Sequence, residues 1–286
     1  MRALSRLWDV TLADEATFTV LIAVYGRDDP SLFDAALRSI FSNTLQPSKC
    51  VLVVDGPVGC PLKTIISSYQ EVFPELIKIC WLPVNKGLAK ALNIGLQLVE
   101  TEFVARADAD DINAFNRFET QYPFTGEGFD LFGSAIEEVD RLGNRLSIKT
   151  PPLSQEDIRR YLKKRNPFNH MTVFFRTGLA IECGGYPELD LREDYGLWAK
   201  MIMRGARCMN LDMPLVKATT GEEFYRRRGG IRSVKAEVAM QNFLVGLGIK
   251  GRFEALVEVV LKGSIFIAPS FIRAFIYRTF LRRGQR

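Results

Sequence analysis

Three carboxylates stand within four residues at Arg106-Ala107-Asp108-Ala109-Asp110-Asp111. They follow the apolar run Phe103-Val104-Ala105, so a strand ending there delivers negative charge to one edge of a sheet. Side chains alternate along an extended chain, which points Asp108 and Asp110 the same way. Two carboxylates so placed repel each other. A hard cation such as Mn²⁺ or Mg²⁺, bound through oxygen, relieves that repulsion and keeps positions open for substrate phosphates. A plainer role also suits these residues: Asp111 before Ile112-Asn113-Ala114 could cap a helix in a polar turn.

Two further groups invite chemistry. Glu193-Asp194 precede a helical apolar face of Leu197, Trp198, Met201 and Ile202, which should stop at Gly205. Carboxylates are favoured in a first helical turn, and that alone would account for them. The single histidine, His170, lies in the segment Asn166 to Arg176, where a half-buried histidine opening a strand would explain it.

The elements that must position these groups alternate strictly. Thr19 to Val24 reads as a strand buried on both faces, ending at Tyr25-Gly26-Arg27. A helix follows Pro30, with Leu32, Phe33, Ala36, Leu37, Ile40 and Phe41 on one face. Val51 to Val54 is a second strand, ending in Asp55-Gly56-Pro57, and a helix marked by Leu62, Ile65, Ile66, Tyr69 and Phe73 comes next. Ile77 to Leu82 is a third strand, Asn85-Lys86-Gly87 opens a third helix, and Phe103 to Ala105 is a fourth strand. This pattern predicts a doubly wound, mostly parallel α/β sheet, whose ligands bind beyond the carboxyl ends of the strands. Tyr25, Asp55, Asn85 and Asp108 all stand at such ends. A ring and a carboxylate in one crevice suit a nucleobase, although Asp55 before Gly-Pro also reads as an ordinary turn aspartate. No Gly-x-Gly-x-x-Gly follows the first strand and no Walker-type loop is present. Beyond the acidic cluster, Phe129 to Asp140 and Arg145 to Lys149 read as a hairpin, and Ser154 to Asp157 as a helix start.

Bulk properties bound the class. A chain of 286 residues, 47% hydrophobic, can bury a sizeable core. Five cysteines without Cys-x-x-Cys spacing disfavour a disulfide framework or zinc site and fit a reducing compartment. Met1 to Ala16 holds no apolar run long enough for a signal peptide, and no segment reaches the length of a membrane-spanning helix. The net charge of +5 is unevenly placed: residues 250–286 carry +6 and residues 1–249 carry −1.

From about Phe18 to Arg228 the chain resembles a family 2 glycosyltransferase with the GT-A fold. The residues that carry this are Ala23-Val24-Tyr25, Asp55-Gly56-Pro57, Asn85-Lys86-Gly87 with Ala91-Leu92-Asn93, the Arg106 to Asp111 cluster, the Asn166 to Arg176 segment, Gly184-Gly185-Tyr186 and Glu193-Asp194-Tyr195. Within the family it looks most like bacterial enzymes that build O-antigen or exopolysaccharide repeat units on a polyprenyl carrier. The resemblance implies a GT-A domain over residues 1–230, with a nucleotide-sugar half (18–111) and an acceptor half carrying the catalytic base (112–230). It implies that the loop after Val24, with Tyr25 and Asp55, holds the uracil of a UDP-sugar. Asn85 and the Gly87 turn would support that crevice. Asp108 would lie by ribose and metal, and Asp110 would bind the Mn²⁺ or Mg²⁺ that bridges the diphosphate. Asp194 would be the general base, and His170 would lie near diphosphate or metal. Where many relatives have Asn after the Tyr and Asp-Asp-Gly-Ser, this chain has Gly26 and Asp55-Gly56-Pro57.

Such an enzyme would move a hexose, with inversion, to a lipid-linked sugar diphosphate. A nucleotidyltransferase on a similar sheet is the first rival, but it would want a Gly-rich phosphate loop after the first strand. A catalytically inactive, membrane-associated scaffold is the second. Arg226-Arg227-Arg228 is either solvated charge or a phosphate clamp. Residues 231–286 form a basic helical tail in which apolar and aromatic residues recur among arginines. Residues 250–286 would then meet an anionic membrane surface from the cytoplasmic side, or else pack on the catalytic domain. No nucleic acid is expected among the partners.

Overall fold

The computed structural model describes residues 17–140, 142–220 and 229–268. Strands β1 (Phe18–Tyr25), β2 (Lys49–Asp55), β3 (Ile77–Trp81) and β4 (Phe103–Arg106) run parallel in the order β3-β2-β1-β4. They are joined by α1 (Pro30–Phe41), α2 (Cys60–Val72) and α3 (Leu88–Leu96). The continuous apolar runs follow from burial on both faces. Along β1 and β2, Leu21, Val51 and Val53 face one core cluster with α3. Val20, Ile22, Val24, Leu52 and Val54 face the other with α1 and α2. Asp29 caps α1 by accepting from the backbone N–H groups of Ser31 and Leu32, and Pro30 fits the first helical turn.

Past Arg106 the architecture changes. A two-residue strand β5 (Ile112–Asn113) follows, then α4 (Arg117–Gln121) and the short α5 (Pro123–Gly126). The hairpin of β6 (Leu131–Val139) and β7 (Arg145–Lys149) forms as expected, and Ser154 caps α6 (Gln155–Leu162). A single 3₁₀ turn (His170–Thr172) leads into β8 (Phe174–Arg176) and α7 (Thr177–Glu182). Helix α8 (Glu193–Met203) then gives way to β9 (Cys208–Thr219). The whole sheet reads β3-β2-β1-β4-β8-β6-β9-β5, with β7 on β6. β8 is antiparallel to β4 and β6, and β9 is parallel to β6, so the parallel first half passes into a mixed second half.

One local expectation is corrected, and one strand was not foreseen. Asp111 does not cap a helix: Ile112 and Asn113 pair with Lys217 and Val216 of β9. The long β9 left no alternating signature, because Asp212-Met213-Pro214 interrupts it. The register against β6 slips where Pro214, which has no N–H to donate, meets Ala135.

The tail is helical where it is described. Helix α9 (Ile231–Gly246) places Met240 and Leu244 in the core beside α8. Helix α10 (Arg252–Ile267) buries Ala255, Gly263 and Phe266. Its other face, with Phe253, Leu256, Val257, Val260, Leu261 and Ile267, stays exposed. Among the described residues no helix is long and apolar enough to cross a membrane. All five cysteines are free.

Candidate active site

The carboxyl ends of β1 and β2 open on a crevice of about 460 Å³ lined by Tyr25, Gly26, Arg27, Asp55, Pro57 and Asn85. Of the four strand-end residues Tyr25, Asp55, Asn85 and Asp108, the first three line this crevice together and Asp108 is not in its lining. Asp55 is buried, and its carboxylate accepts from the backbone N–H of Lys86 (2.7 Å) and of Gly87 (3.0 Å). Asn85 Nδ2 donates back to the Asp55 carbonyl at 3.1 Å. These bonds need the two turns in close contact. Gly56, at φ +89°, permits it, since a Cβ there would stand 2.5 Å from the Asn85 nitrogen. Asp55 thus organises the crevice wall before it touches any ligand. An ionised carboxylate has about four acceptor positions, so capacity for a base N–H remains. Val24 itself is buried and paired with Val54, so it shapes the crevice from behind rather than lining it.

Asp28 joins this group, unforeseen from the sequence. It accepts from the Tyr25 N–H at 2.9 Å. Burial pushes its carboxyl up to about 6, against the Tyr25 hydrogen bond, and the charges of Asp110 and Asp108 push it further. Asp28 therefore belongs with the acidic turn.

That turn is not a continuation of the strand. β4 ends at Arg106, and Ala109-Asp110 lie in a turn, so alternation does not fix the relative directions of Asp108 and Asp110. Asp108 is instead held by buried Arg106, whose Nη2 lies 2.5 Å from its carboxylate. Arg106 Nη1 also donates to the Leu21 carbonyl at 3.2 Å. Behind the turn, buried Arg117 donates to the Arg106 carbonyl, to Gln121 and to Asn113. Asp111 is buried too, and burial raises it well above the carboxylate range, with Asp108 and Asp110 adding to the rise. Among the described residues no group of three or more His, Cys, Asp or Glu is arranged to hold a metal unaided. The oxygen donors of Asp108 and Asp110 suit a hard cation that completes its coordination on substrate phosphates.

The second carboxylate pair opens α8. Asp194 Oδ2 accepts from Asn166 Nδ2 at 2.6 Å, and Oδ1 accepts from the Tyr195 N–H at 2.7 Å. The helix-start reading is met geometrically, yet the Asn166 bond fixes the carboxylate in a way that a cap does not require. Asn166 lay in a segment singled out from the sequence, but no role was readable for it. Burial, with Asp194 beside it, pushes Glu193 up to about 7; Asp108 contributes as well. His170 is half-buried, with Nε2 3.2 Å from the Tyr186 hydroxyl and its ring against Tyr186 and Trp198. Burial and Arg106 push it down to about 4, so it is neutral at pH 7, while the charges of Asp194 and Asp108 also reach it. Asp108 therefore lies within electrostatic reach of Asp28 on one side and of Glu193 and His170 on the other. Arg226 and Arg227 lie outside the described residues.

The fold that carries this crevice, the acidic turn and the held carboxylate is similar to that of solved glycosyltransferases. The Staphylococcus aureus TarS 1–349 complex with UDP-GlcNAc superposes with TM-score 0.64 at 18% identity, covering 94% of this chain and 77% of that one. The Pyrobaculum calidifontis mannosyltransferase PcManGT, in complex with GDP-Man and Mn²⁺, gives TM-score 0.61 at 14% identity, covering 93% and 82%. These likenesses show the GT-A fold. Residues 19–183 match Glycosyl transferase family 2, and the chain belongs to that family. It is similar over nearly its whole length to the Escherichia coli UDP-Gal:alpha-D-GlcNAc-diphosphoundecaprenol beta-1,3-galactosyltransferase, at 34% identity over 94% of this chain and 98% of the relative. The amylovoran biosynthesis glycosyltransferase AmsE of Erwinia amylovora is 33% identical, over 91% and 97%. The protein is thus a glycosyltransferase of the kind that builds bacterial surface polysaccharide, and the nucleotidyltransferase reading falls away.

Proposed function

We propose that this chain is an inverting, metal-dependent hexosyltransferase that moves a sugar from a UDP-sugar to a polyprenyl-diphosphate-linked sugar. The observation that carries the reading is the position of Asp108, electrostatically coupled both to the nucleotide side and to the Glu193-Asp194 side of the cleft. The E. coli galactosyltransferase, which acts on a GlcNAc-diphosphoundecaprenol with UDP-Gal, supports the substrate class.

In this reading the base packs against Tyr25 in the crevice, and Asp55 offers its remaining acceptor capacity to a base N–H. Asp108 lies by the ribose. Asp110 and Asp108 would hold the Mn²⁺ or Mg²⁺, which supplies Lewis-acid stabilisation of the leaving diphosphate. Asp194, held by Asn166, takes the proton of the incoming hydroxyl. Neutral His170 presents an imidazole to the diphosphate region without adding charge. Attack opposite the departing UDP inverts the anomeric centre and needs no covalent sugar–enzyme intermediate.

The lipid-linked acceptor places the enzyme at the cytoplasmic membrane face. Support comes from the exposed apolar face of α10 and, in the sequence, from residues 269–286, which hold five Arg and no acidic residue. Anionic lipid is the fitting occupant of that face by charge.

A panel of UDP-sugars offered with a synthetic GlcNAc-diphospho-lipid, read by mass spectrometry, tests the function. One UDP-hexose should be transferred with UDP released, and transfer from none of them would overturn it. In the same assay, vesicles containing anionic lipid should bind the protein at low salt and release it at high salt. Removing everything after Gly248 would not be a clean test of the tail, because α10 packs on α9. Replacing Phe253, Leu256 and Val260 by serine leaves that packing intact, and vesicle binding unchanged by that replacement would end the membrane reading.

A further inference from the structure

The α9–α10 pair grips the segments on either side of Asp194. Glu237 of α9 is buried at 3% exposure and accepts from three donors: Gln241 Nε2 (2.7 Å), Lys262 Nζ of α10 (2.8 Å) and Arg192 Nη2 (3.4 Å). Arg192 is the residue on which α8 begins, two positions before Asp194. Lys262 also donates to the Lys164 carbonyl at 2.6 Å, two residues before Asn166, the partner of Asp194. One Lys–Glu–Arg chain, centred on buried Glu237, therefore ties together both segments of the chain that meet at the Asn166–Asp194 bond.

A second clamp sits at the start of the same loop. Arg232, in the first turn of α9, makes a two-pronged pair with Asp190, both bonds at 2.6 Å. Between the clamped residues Asp190 and Arg192 stands Leu191 at φ +61°, the only described residue other than glycine in the left-handed region. A leucine there is strained, and such strain persists only where surrounding contacts over-determine it. The Asp190–Arg232 and Arg192–Glu237 pairs are those contacts, and both come from α9.

We propose that Glu237, Lys262 and Arg232 are positioning residues for the Asn166–Asp194 pair, so that the C-terminal helices are a working part of the cleft. This rests on Asp194 being the base, and deepens that reading. The three residues touch no substrate. They fix the loop that presents the carboxylate, and a small misplacement of a catalytic group can cost about 10²-fold in rate.

The test uses the full chain with donor and lipid acceptor. Glu237→Gln keeps the shape and some hydrogen bonds but removes the charge that holds Arg192 and Lys262. It should lower kcat about ten-fold or more, with KM for the UDP-sugar and UDP affinity within about two-fold. In an Asp194→Asn background the same change should add almost nothing, because both act through one carboxylate. Arg232→Gln, on an exposed pair that the fold tolerates losing, should lower kcat a few-fold, and Asp190→Arg with Arg232→Asp should restore it. If Glu237→Gln does not fold, the exposed pair decides alone. Folded Glu237→Gln and Arg232→Gln with wild-type kcat, or full additivity with Asp194→Asn, overturn the proposal while leaving the base assignment standing. Full activity in Asp194→Asn overturns the base assignment itself.

Discussion

Asp55 and Asp194 are carboxylates on the same cleft, held in opposite ways. Asp55 accepts two backbone N–H groups from a turn 31 and 32 residues further on, between parallel neighbours of one sheet. Asp194 accepts a side-chain amide from Asn166, 28 residues before it, across a loop that is itself pinned by helices from the far end of the chain. Backbone geometry sets the Asp55 edge, the proposed nucleotide side, so its shape follows from the strand–helix alternation. Side-chain pairing sets the Asp194 edge, the proposed base side, so its shape depends on several distant residues being right at once. The first edge should tolerate surface change and the second should fail by small displacements.

Asp110 lies in the acidic turn beside Asp108, whose charge reaches both edges, and it tests the comparison hardest. Asp110→Ala should abolish nearly all transfer and remove the dependence of UDP binding on Mn²⁺ or Mg²⁺, measured by titrating UDP with and without metal. Turnover that persists in Asp110→Ala and still responds to metal would break the assignment. Asp194→Asn comes next. It preserves size and most hydrogen bonding but cannot take a proton near neutral pH. Loss of kcat of about 10²-fold or more is expected, with UDP affinity nearly unchanged. A collapse of UDP binding would mean that the two edges are one mechanical unit and that Asp194 is a helix-start residue.

The contrast also sorts what could be read without coordinates. Each of β1 to β4 and α1 to α3 announces itself by local apolar pattern, and the crevice residues Tyr25, Asp55 and Asn85 fall out of strand ends. The direction of Asp108 did not, because the extended chain stops at Arg106 and a buried arginine takes over. Asp28 was invisible for a different reason: it reads as loop, and only the fold brings it within reach of Asp108 and Asp110. Asn166, Glu237 and Lys262 were hidden because their partners lie 28, 45 and 25 residues away for the bonds to Asp194, Arg192 and Glu237, distances that no helical or strand period encodes.

Glu193 gives the smallest and sharpest measurement. Burial and the neighbouring Asp194, with Asp108 and Asp190 beyond it, raise its carboxyl from the ordinary range to about 7. At pH 5.5 it is mostly protonated. As pH rises through 7 a negative charge appears on Glu193 beside Asp194; if Asp194 is the base, that charge favours uptake of the acceptor's proton, so kcat should climb over that interval. Glu193→Gln should flatten that limb while changing kcat only a few-fold at pH 6, and an unaltered limb would assign the titration elsewhere. Stability gives an independent reading with its own sign. A carboxyl raised on folding costs nothing below the unfolded value near 4.5, where both states hold the proton. Between there and 7 the unfolded chain ionises first and the native state loses ground. The melting temperature of Glu193→Gln relative to wild type should therefore rise between pH 5 and pH 8. The side chain is partly exposed, so the gain should be about 1 kcal/mol. A variant whose relative stability is flat over that range would show that Glu193 ionises normally, and the charged base edge would then need no shared proton.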